Sequence, residues 1–428
     1  MPVLDGDTPS EMPQAQQSNT NSLQAKFRDS DPTKKNPLKL MVQLSLYGGV
    51  AFLLFVHRHE ALRQLRQIFP LAALFIFAAV SLLWSDLAAF AARRWLVLVA
   101  SSACGLLLSV LYSPRQLLRL LGMILVASAV LSILCVVFVP SWGIDPLFQN
   151  GSWRGIFAQK NTLGRLMVLG VIVEFLLMMD DRSRRKIYGV GLLLCSLVLV
   201  MTKSATSAMI APGILALLPL FRWLRRRPVW VVATVAVLMV VAGTLFVVVT
   251  GTSDHVFELM GRDSSLSGRV DIWEVVLPQM MEHPWLGYGF SSFWLGLESA
   301  QSAYVWSVMK WNVPHSHNAF LDLVQEIGLV GLGVFLYGFI IAVRRSIAWL
   351  RWNSSYLALW PIAYLSFTFL SNLSEDSLLK QDNLFWLLYV STWIFLSVTV
   401  PVLERSRTAV RSPVVSTPSG RLNMEGAR

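Results

Sequence analysis

The chain has 428 residues, of which 55% are hydrophobic and only 14% charged, with a formal net charge of +11. Soluble globular proteins carry about 25% charged residues, so this composition excludes an ordinary soluble enzyme and, despite the positive charge, a nucleic-acid-binding protein. Cys104, Cys135 and Cys195 are odd in number and sit inside apolar runs, which excludes a secreted disulfide scaffold. A polytopic membrane protein remains.

In chain order, residues 1–36 are rich in Ser, Gln, Asp and Pro and read as disordered. A helical span needs about 20 mostly apolar residues to cross roughly 30 Å of hydrocarbon. Eleven such runs follow, at 40–56, 68–84, 95–111, 117–139, 163–179, 187–202, 206–221, 228–250, 318–343, 356–370 and 384–400. They are continuous rather than short and alternating, so helices and not a barrel cross the bilayer. Beyond about residue 404 a Ser/Pro/Arg tail again reads as disordered.

The basic residues sort by side. Segments 57–67, 112–119, 180–188, 222–228 and 344–355, with tails 1–39 and 401–428, hold 26 of the 36 Lys and Arg. This group nets +16 and the remaining segments −5. The positive-inside rule makes the first group cytoplasmic. Eleven spans with a cytoplasmic C-terminus would put the N-terminus outside, yet the polar tail 1–39 carries five basic residues and is expected inside. The expected reconciliation is a run 40–56 broken at Gly48-Gly49 into short or re-entrant pieces, giving about 11–12 transmembrane helices. The chain then divides into a tail (1–39), helices (40–250), one large loop on the non-cytoplasmic side (251–317), helices (318–403) and a second tail (404–428).

The large loop holds four of the six histidines, His255, His283, His315 and His317, and ten aromatics from Phe257 to Trp311. Its Trp and Tyr suit the headgroup level of the bilayer, and aromatic faces also stack on sugars. Ser267-Gly-Arg269-Val-Asp-Ile-Trp-Glu reads as a helix start with Ser267 as N-cap. Arg269 in the first turn would add a bidentate donor to a helix end that already favours anions; spacing alone favours a surface pair with Asp271 or Glu274. Ser316 can cap the helix that follows. His315, Asn318, Asp322 and Gln325 form one polar stripe down its outer end, which should line a cavity because polar groups there are costly against lipid. His315-Ser-His317 could ligate zinc, but no third ligand has the usual spacing, so no metal and no cofactor is expected. Histidine suits a general base at neutral pH.

Arg154, Lys160 and Arg165 defy the charge trend in and just after the shorter outer loop 140–162. Asn161 shares a helix face with Arg165. An anionic substrate group would explain them; interfacial snorkelling would also account for Lys160 and Arg165. Glu174 in the middle of its run and Asp86 at a span end are further polar contacts.

Six stretches, in this order, resemble the O-antigen ligase and polymerase superfamily, closest to its exopolysaccharide polymerase branch. They are Leu82-Leu-Trp-Ser-Asp86, Arg154-Gly-Ile-Phe-Ala-Gln-Lys160-Asn161, Thr202-Lys-Ser-Ala-Thr-Ser207, Gly268-Arg269-Val-Asp-Ile-Trp273, His283-Pro-Trp-Leu-Gly-Tyr-Gly-Phe290, and His315-Ser-His317-Asn-Ala-Phe-Leu321 with Glu326-Ile-Gly-Leu-Val-Gly331. The resemblance spans roughly residues 70–400. It implies an all-α, GT-C-like polytopic protein of the bacterial inner membrane with its active site facing the periplasm. It also implies metal-independent glycosyl transfer from an undecaprenyl-pyrophosphate-linked glycan to a glycan or lipid A-core acceptor, alongside a chain-length regulator and export machinery and without nucleic acid. Arginines hold the pyrophosphate in that family and a loop histidine serves the acceptor hydroxyl. On this chain these are Arg269 and Arg154, with Lys160 and Arg165 nearby, and His317, with His315 second; Asn161, Asn318 and Asp322 would position substrate or histidine. The alternatives are a ligase moving a finished glycan to lipid A-core or protein, a flippase or transporter, and a membrane glycosyltransferase using the Asp86 carboxylate as its base.

Overall fold

The computed structural model describes residues 37–146, 151–224 and 267–411. The described helices are α1 (Pro37–Val56), α2 (Arg58–Leu65), α3 (Phe69–Val80), α4 (Ala88–Leu111), α5 (Pro114–Phe138), α6 (Lys160–Asp180), α7 (Arg185–Met201), α8 (Ala205–Leu224), α9 (Ser267–Glu282), α10 (Ala300–Met309), α11 (Ala319–Trp352), α12 (Trp360–Asn372) and α13 (Leu384–Arg411). Ten of the eleven apolar runs coincide with these helices, and the run 228–250 lies outside the described residues. Among the described residues six helices are long and apolar enough to cross a membrane, or seven if the bent pair α1 and α2 is one span. Among the described residues no strand forms beyond one bridge between Ile144 and Trp153. The chain is an all-α polytopic membrane protein.

Local sequence explains the helix starts. Ser113 and Gln116 close a capping box before Pro114, and Pro fits the first turn because it has no N–H to lose. The cap of α11 is Asn318, whose Oδ1 accepts from Phe320 N at 3.0 Å and Leu321 N at 3.3 Å. Ser316, expected there, is bound elsewhere. The bundle centres on α6, which is far more buried than α4, α5 or α8. Glu174 of α6 sits between Gly122 of α5 and Gly191 of α7, and a Cβ at either glycine would collide with the carboxylate. Small residues let membrane helices approach this closely.

The loops sort onto two ends as the charge pattern demands. At one end Arg115 meets Asp180 at 2.6 Å, Arg119 meets Asp181 at 2.9 Å, and Arg222 NH1 donates to the Ser354 carbonyl at 3.3 Å. These are the segments read as cytoplasmic. The other end, here the site end, gathers the loops before α6 and α8, the segment 267–318 and the turn between α12 and α13.

The N-terminus departs from expectation. Helix α1 runs unbroken through Gly48-Gly49 and bends only at His57, by 92°, into α2. Gln43 and Tyr47 both donate to Asp382 in the α12–α13 turn, so Pro37 starts at the site end, opposite the basic loops. Two glycines in a helix cost only about 1 kcal/mol each, which neighbouring contacts can offset. At the other terminus α13 continues to Arg411, past the expected start of a tail at 404.

Helix α11 is interrupted at Gly328, with φ 68° and ψ −177°. The polar groups freed there are taken up by the segment after α9. Leu329 N donates to the Pro284 carbonyl at 2.8 Å, Val330 N to that of Trp285 at 3.1 Å, and Tyr288 N to that of Gln325 at 2.8 Å. The same segment is pinned from the turn that follows α3. Phe290 N donates to Ser81 Oγ at 2.8 Å, Trp84 Nε1 to the Leu286 carbonyl at 3.3 Å, and the Ser85 and Ser292 hydroxyls lie 2.6 Å apart.

Residues 267–318 carry a small core of their own from Ile272, Val276, Tyr288, Phe293, Trp294, Val305, Trp306 and Val313. Four of the ten aromatics expected at headgroup level are therefore consumed inside the loop's own core, because a segment this long must bury apolar surface to fold. Trp285, Tyr304 and Trp311 stay exposed. His255 and Phe257 lie outside the described residues.

Gly328→Ala should destabilise the protein. Its Cβ would stand 2.1 Å from the Trp285 carbonyl oxygen, in a backbone region that side chains rarely adopt; the backbone strain alone costs about 1–3 kcal/mol. Thermal unfolding of detergent-solubilised protein, followed by tryptophan fluorescence, should show a clear fall in Tm, whereas Gly213→Ala, where the added methyl meets nothing, should not.

Candidate active site

The site is built where four segments converge: the start of α9, the turn 315–318, the first turns of α6, and the α12–α13 turn. Arg269, one turn into α9, lies 3.6 Å from Glu375, and both side chains are about nine-tenths buried. It does not pair with Asp271 or Glu274. Asn161 Nδ2 donates to the same carboxylate at 2.8 Å, and Ser204 Oγ donates back to Asn161 Oδ1 at 3.2 Å. Arg165, on the same face one turn on, donates to Ser377 Oγ at 2.8 Å and stacks over Phe385 at 4.2 Å. One short turn, 372–380, thus ties Arg269, Asn161 and Arg165 together.

The histidines face each other, with ring centroids 4.3 Å apart. His317 N donates to His315 Nδ1 at 3.0 Å, so a neutral His315 carries its proton on Nε2. His317 adopts φ 54°, a left-handed conformation uncommon for a side-chain-bearing residue. Trp273 of α9 anchors the turn by donating from Nε1 to the Ser316 carbonyl at 2.8 Å. Burial, then the neighbouring His315 and Arg269, push His317 down to about 2. Burial also lowers His315, against the pull of Asp376 and Glu375. Both imidazoles are neutral at neutral pH.

The polar stripe of α11 is packed rather than open. Asp322 Oδ1 accepts from Ser316 N at 2.9 Å, Ser316 Oγ at 2.6 Å and Trp294 Nε1 at 2.9 Å. Gln325 takes Trp294 Nε1 at 2.8 Å and donates to Ser316 Oγ at 2.8 Å. Instead of lining a cavity, the stripe locks the histidine turn to the helix; Asn318 is spent on capping. A second charge cluster adjoins it. Lys380 lies 2.6 Å from Asp376 and 3.4 Å from Glu326. Burial opposes its charge, but Asp376, Glu326 and Asp322 outweigh that and hold its pKa above the usual lysine range.

At the cluster His317 Nδ1, Arg165 Nε, Asp322 Oδ2 and both Asp376 carboxylate oxygens are buried with no hydrogen-bond partner among the described residues, although Asp376 is ion-paired with Lys380.

Of the sequence-predicted residues, the fold gathers Arg269, His315, His317, Asn161, Arg165, Asn318 and Asp322. Arg154 is directed elsewhere: its Nε donates to the Trp142 carbonyl at 2.7 Å and its guanidinium lies over the Trp142 ring. Lys160 opens α6 beside Asn161. Sequence reasoning missed Glu375, Asp376 and Ser377 and gave Lys380 no role, although Lys380 is one of the ten basic residues outside the basic loops. It also missed a spatial third ligand. His315, His317 and Glu375 place ligand atoms within 4.8 Å of one another, as do His315, Asp322 and Asp376. The carboxylates in both sets are already engaged, Glu375 by Arg269 and Asn161 and Asp376 by Lys380.

The fold and the cluster define a multi-pass membrane protein with a buried cationic and histidine site at one end. Comparison with known proteins narrows the class. A family model described as O-antigen ligase matches residues 190–336, which include Arg269, both site histidines and the break at Gly328. The exopolysaccharide production protein ExoQ of Rhizobium meliloti (strain 1021) is 27% identical over 309 residues, covering 68% of this chain and 67% of that one. Together they support an O-antigen ligase/polymerase-like family, in agreement with the motif resemblance.

Glu375 should be a structural keystone. Removing one partner of a buried ion pair costs about 3–5 kcal/mol because the other charge stays buried and unpaired. Glu375→Gln should lower Tm markedly, and adding Arg269→Gln should recover part of the loss; a double-mutant cycle on thermal unfolding measures both.

Proposed function

We propose that the chain is a bacterial inner-membrane glycosyltransferase working at the periplasmic face. It polymerises undecaprenyl-pyrophosphate-linked oligosaccharide repeats into exopolysaccharide or O-antigen without a metal ion. The observation that carries this reading is the meeting of Arg269 and the His315–His317 pair in one buried cluster. The similarity to an exopolysaccharide production protein favours polymerisation; the family description favours the ligase variant of the same chemistry, in which a finished glycan passes to lipid A-core or protein. The positive-inside rule places the site end outside the cytoplasm, where export machinery and a chain-length regulator would act on the product.

The acceptor hydroxyl attacks the anomeric carbon of the donor sugar in line with the departing pyrophosphate. One C–O bond forms, the bond to the pyrophosphate oxygen breaks, and the anomeric centre inverts. The neutral His317 imidazole orients the acceptor hydroxyl, whose proton leaves on the departing pyrophosphate. Arg269 stabilises the charge that develops on the pyrophosphate, which is usually the largest catalytic contribution. Arg165 and Lys160 hold its far oxygens, and Arg154 joins them by releasing the Trp142 carbonyl. Asn161 and Asn318 fix the position of the cations and of the histidine turn, and Asp322 holds that turn through Ser316. Metal independence is supported by the cations already seated on the carboxylates: a divalent ion would have to displace Arg269 or Lys380.

Arg269→Ala and His317→Ala should each lower elongation from lipid-linked repeats by about 100-fold or more, assayed at matched protein level; normal polymer from both would overturn the assignment. A second expectation concerns pH. An ordinary histidine base loses half its activity near pH 6.5 on acidification. With His317 held down to about 2 in the free protein, its neutral form persists well below that, so kcat/KM, which reports the free enzyme, should show no break near 6.5 on the acid limb between pH 8 and 5.5.

A further inference from the structure

At the end of the bundle opposite the site, the turn between α6 and α7 holds Arg182, Arg184, Arg185 and Lys186 within five residues, and all four are exposed. The two acids that precede them are engaged elsewhere. Asp180 takes Arg115 at 2.6 Å through Oδ2, and its Oδ1 accepts from the Ser355 hydroxyl and from Tyr356 N at 3.2 Å. Asp181 takes Arg119 at 2.9 Å through Oδ2, and its Oδ1 accepts from Ser183 N at 3.1 Å and Arg184 N at 3.4 Å. Every carboxylate oxygen of the turn is thus committed to α5, to the segment before α12 or to the turn's own backbone. Among the described residues none of the four cationic side chains has an ion pair or a hydrogen bond. Other cations at this end are engaged within the protein, such as Arg222 stacked on Tyr356 and Arg345 over Trp393. The positive-inside rule explains why basic residues lie on this side. It does not explain a turn whose acids are drawn off to other arginines, leaving four positive charges uncompensated on a backbone that Asp181 holds in place. The adjoining surface is apolar. Lys186 shares one face of α7 with Val190, Leu193 and Leu197, at successive spacings of four, three and four residues, and these three are exposed. A lysine at the end of such a stripe lays its stem on it and carries the ammonium to headgroup level.

We propose that the turn 182–186 and this stripe of α7 bind an anionic phospholipid of the surrounding bilayer, with its phosphate among the four cations and an acyl chain along Val190, Leu193 and Leu197. Guanidinium groups pair with phosphate oxygens in bidentate fashion, and the lysine adds a point charge. Four cations suit a headgroup with two phosphates better than one with a single phosphate, so cardiolipin should bind more tightly than phosphatidylglycerol. The apolar stripe selects a lipid over a free phosphate. The bound lipid would brace the junction of α6 and α7 from outside. Because α6 carries Asn161 and Arg165 at its other end, that support reaches the helix on which the site is built. The assignment stands independently of the transfer reading.

The test is thermal unfolding of the full chain in neutral detergent with titrated lipid, followed by tryptophan fluorescence. Cardiolipin should raise Tm, phosphatidylglycerol should do so at higher concentration, and phosphatidylcholine should leave it unchanged. Each basic side chain beside an anionic headgroup contributes about fivefold to affinity, so Arg185→Gln with Lys186→Gln should raise the half-saturating cardiolipin concentration about tenfold or more. Arg185→Lys with Lys186→Arg, which keeps both charges, should bind as the unaltered chain does. Arg344→Gln with Arg351→Gln removes two exposed cations from the same end and should leave the response as it is. The proposal is overturned if the unaltered chain responds to cardiolipin no more than to phosphatidylcholine, or if the pair on α11 costs as much affinity as the pair on α7. It is also overturned if inorganic phosphate alone reproduces the shift.

Discussion

Inside a membrane bundle a helix can be broken only if something other than water takes up the backbone groups it frees. The interruption of α11 at Gly328 meets that condition through the segment 284–288, and much of the site end depends on this exchange. Because Pro284, Trp285 and Tyr288 bond to the break itself, the segment between α9 and α10 is fixed against the bundle. Ser81, Trp84 and Ser85 then clamp it from the turn after α3. Two of the motifs that the sequence keeps apart, 82–86 and 283–290, are thus the two sides of one joint. The outer part of α11, freed from the direction of the rest, carries Asp322 and Gln325 to the histidine turn.

The second organising fact is charge. Arg165, Arg269 and Lys380 are all substantially buried, and ionised groups removed from water must be paired or stacked to be tolerated. Each solves the problem differently. Arg269 shares Glu375 with Asn161, Lys380 sits between Asp376 and Glu326, and Arg165 rests on an aromatic face with a hydroxyl at its fork. Among the described residues Arg165 has no carboxylate within ion-pair distance, and its Nε is unpartnered. An arriving anion would find Arg165 the least committed cation and Arg269 held by a long, exchangeable contact. Lys380, bound tightly to Asp376 and within reach of Glu326, reads as a structural charge seated between two carboxylates.

The legible and illegible parts of the protein divide along physical lines. Apolar runs announce helices because the bilayer permits little else, and the basic loops announce sidedness because their charges are selected for it. The polar stripe 315–325 was visible as a stripe, yet its role was not: periodicity shows that residues share a face, not whether that face meets solvent or Trp294. The direction of α1 was hidden for a related reason. A glycine pair looks like a break, but whether it breaks depends on tertiary anchors such as Gln43 and Tyr47 on Asp382.

Glu375 and Asp376 could not have been found by motif, and the reason is instructive. A residue with a role at the substrate, such as the one proposed for His317, is constrained in position, neighbours and backbone, so a recognisable pattern forms around it. A residue whose task is to neutralise a buried cation is constrained only to reach it. It can come from any turn at the same end of the bundle, and here it comes from a turn far along the chain from both Arg269 and Arg165. The question that leads to it from sequence is electrostatic: which acid on the same side of the membrane would keep an arginine ionised once the fold closes over it. Of the 15 acids outside the basic segments, those in the short turn joining two apolar helices at the site end are the ones that burial makes costly unless a cation receives them, and that cost is what Arg269 and Lys380 offset.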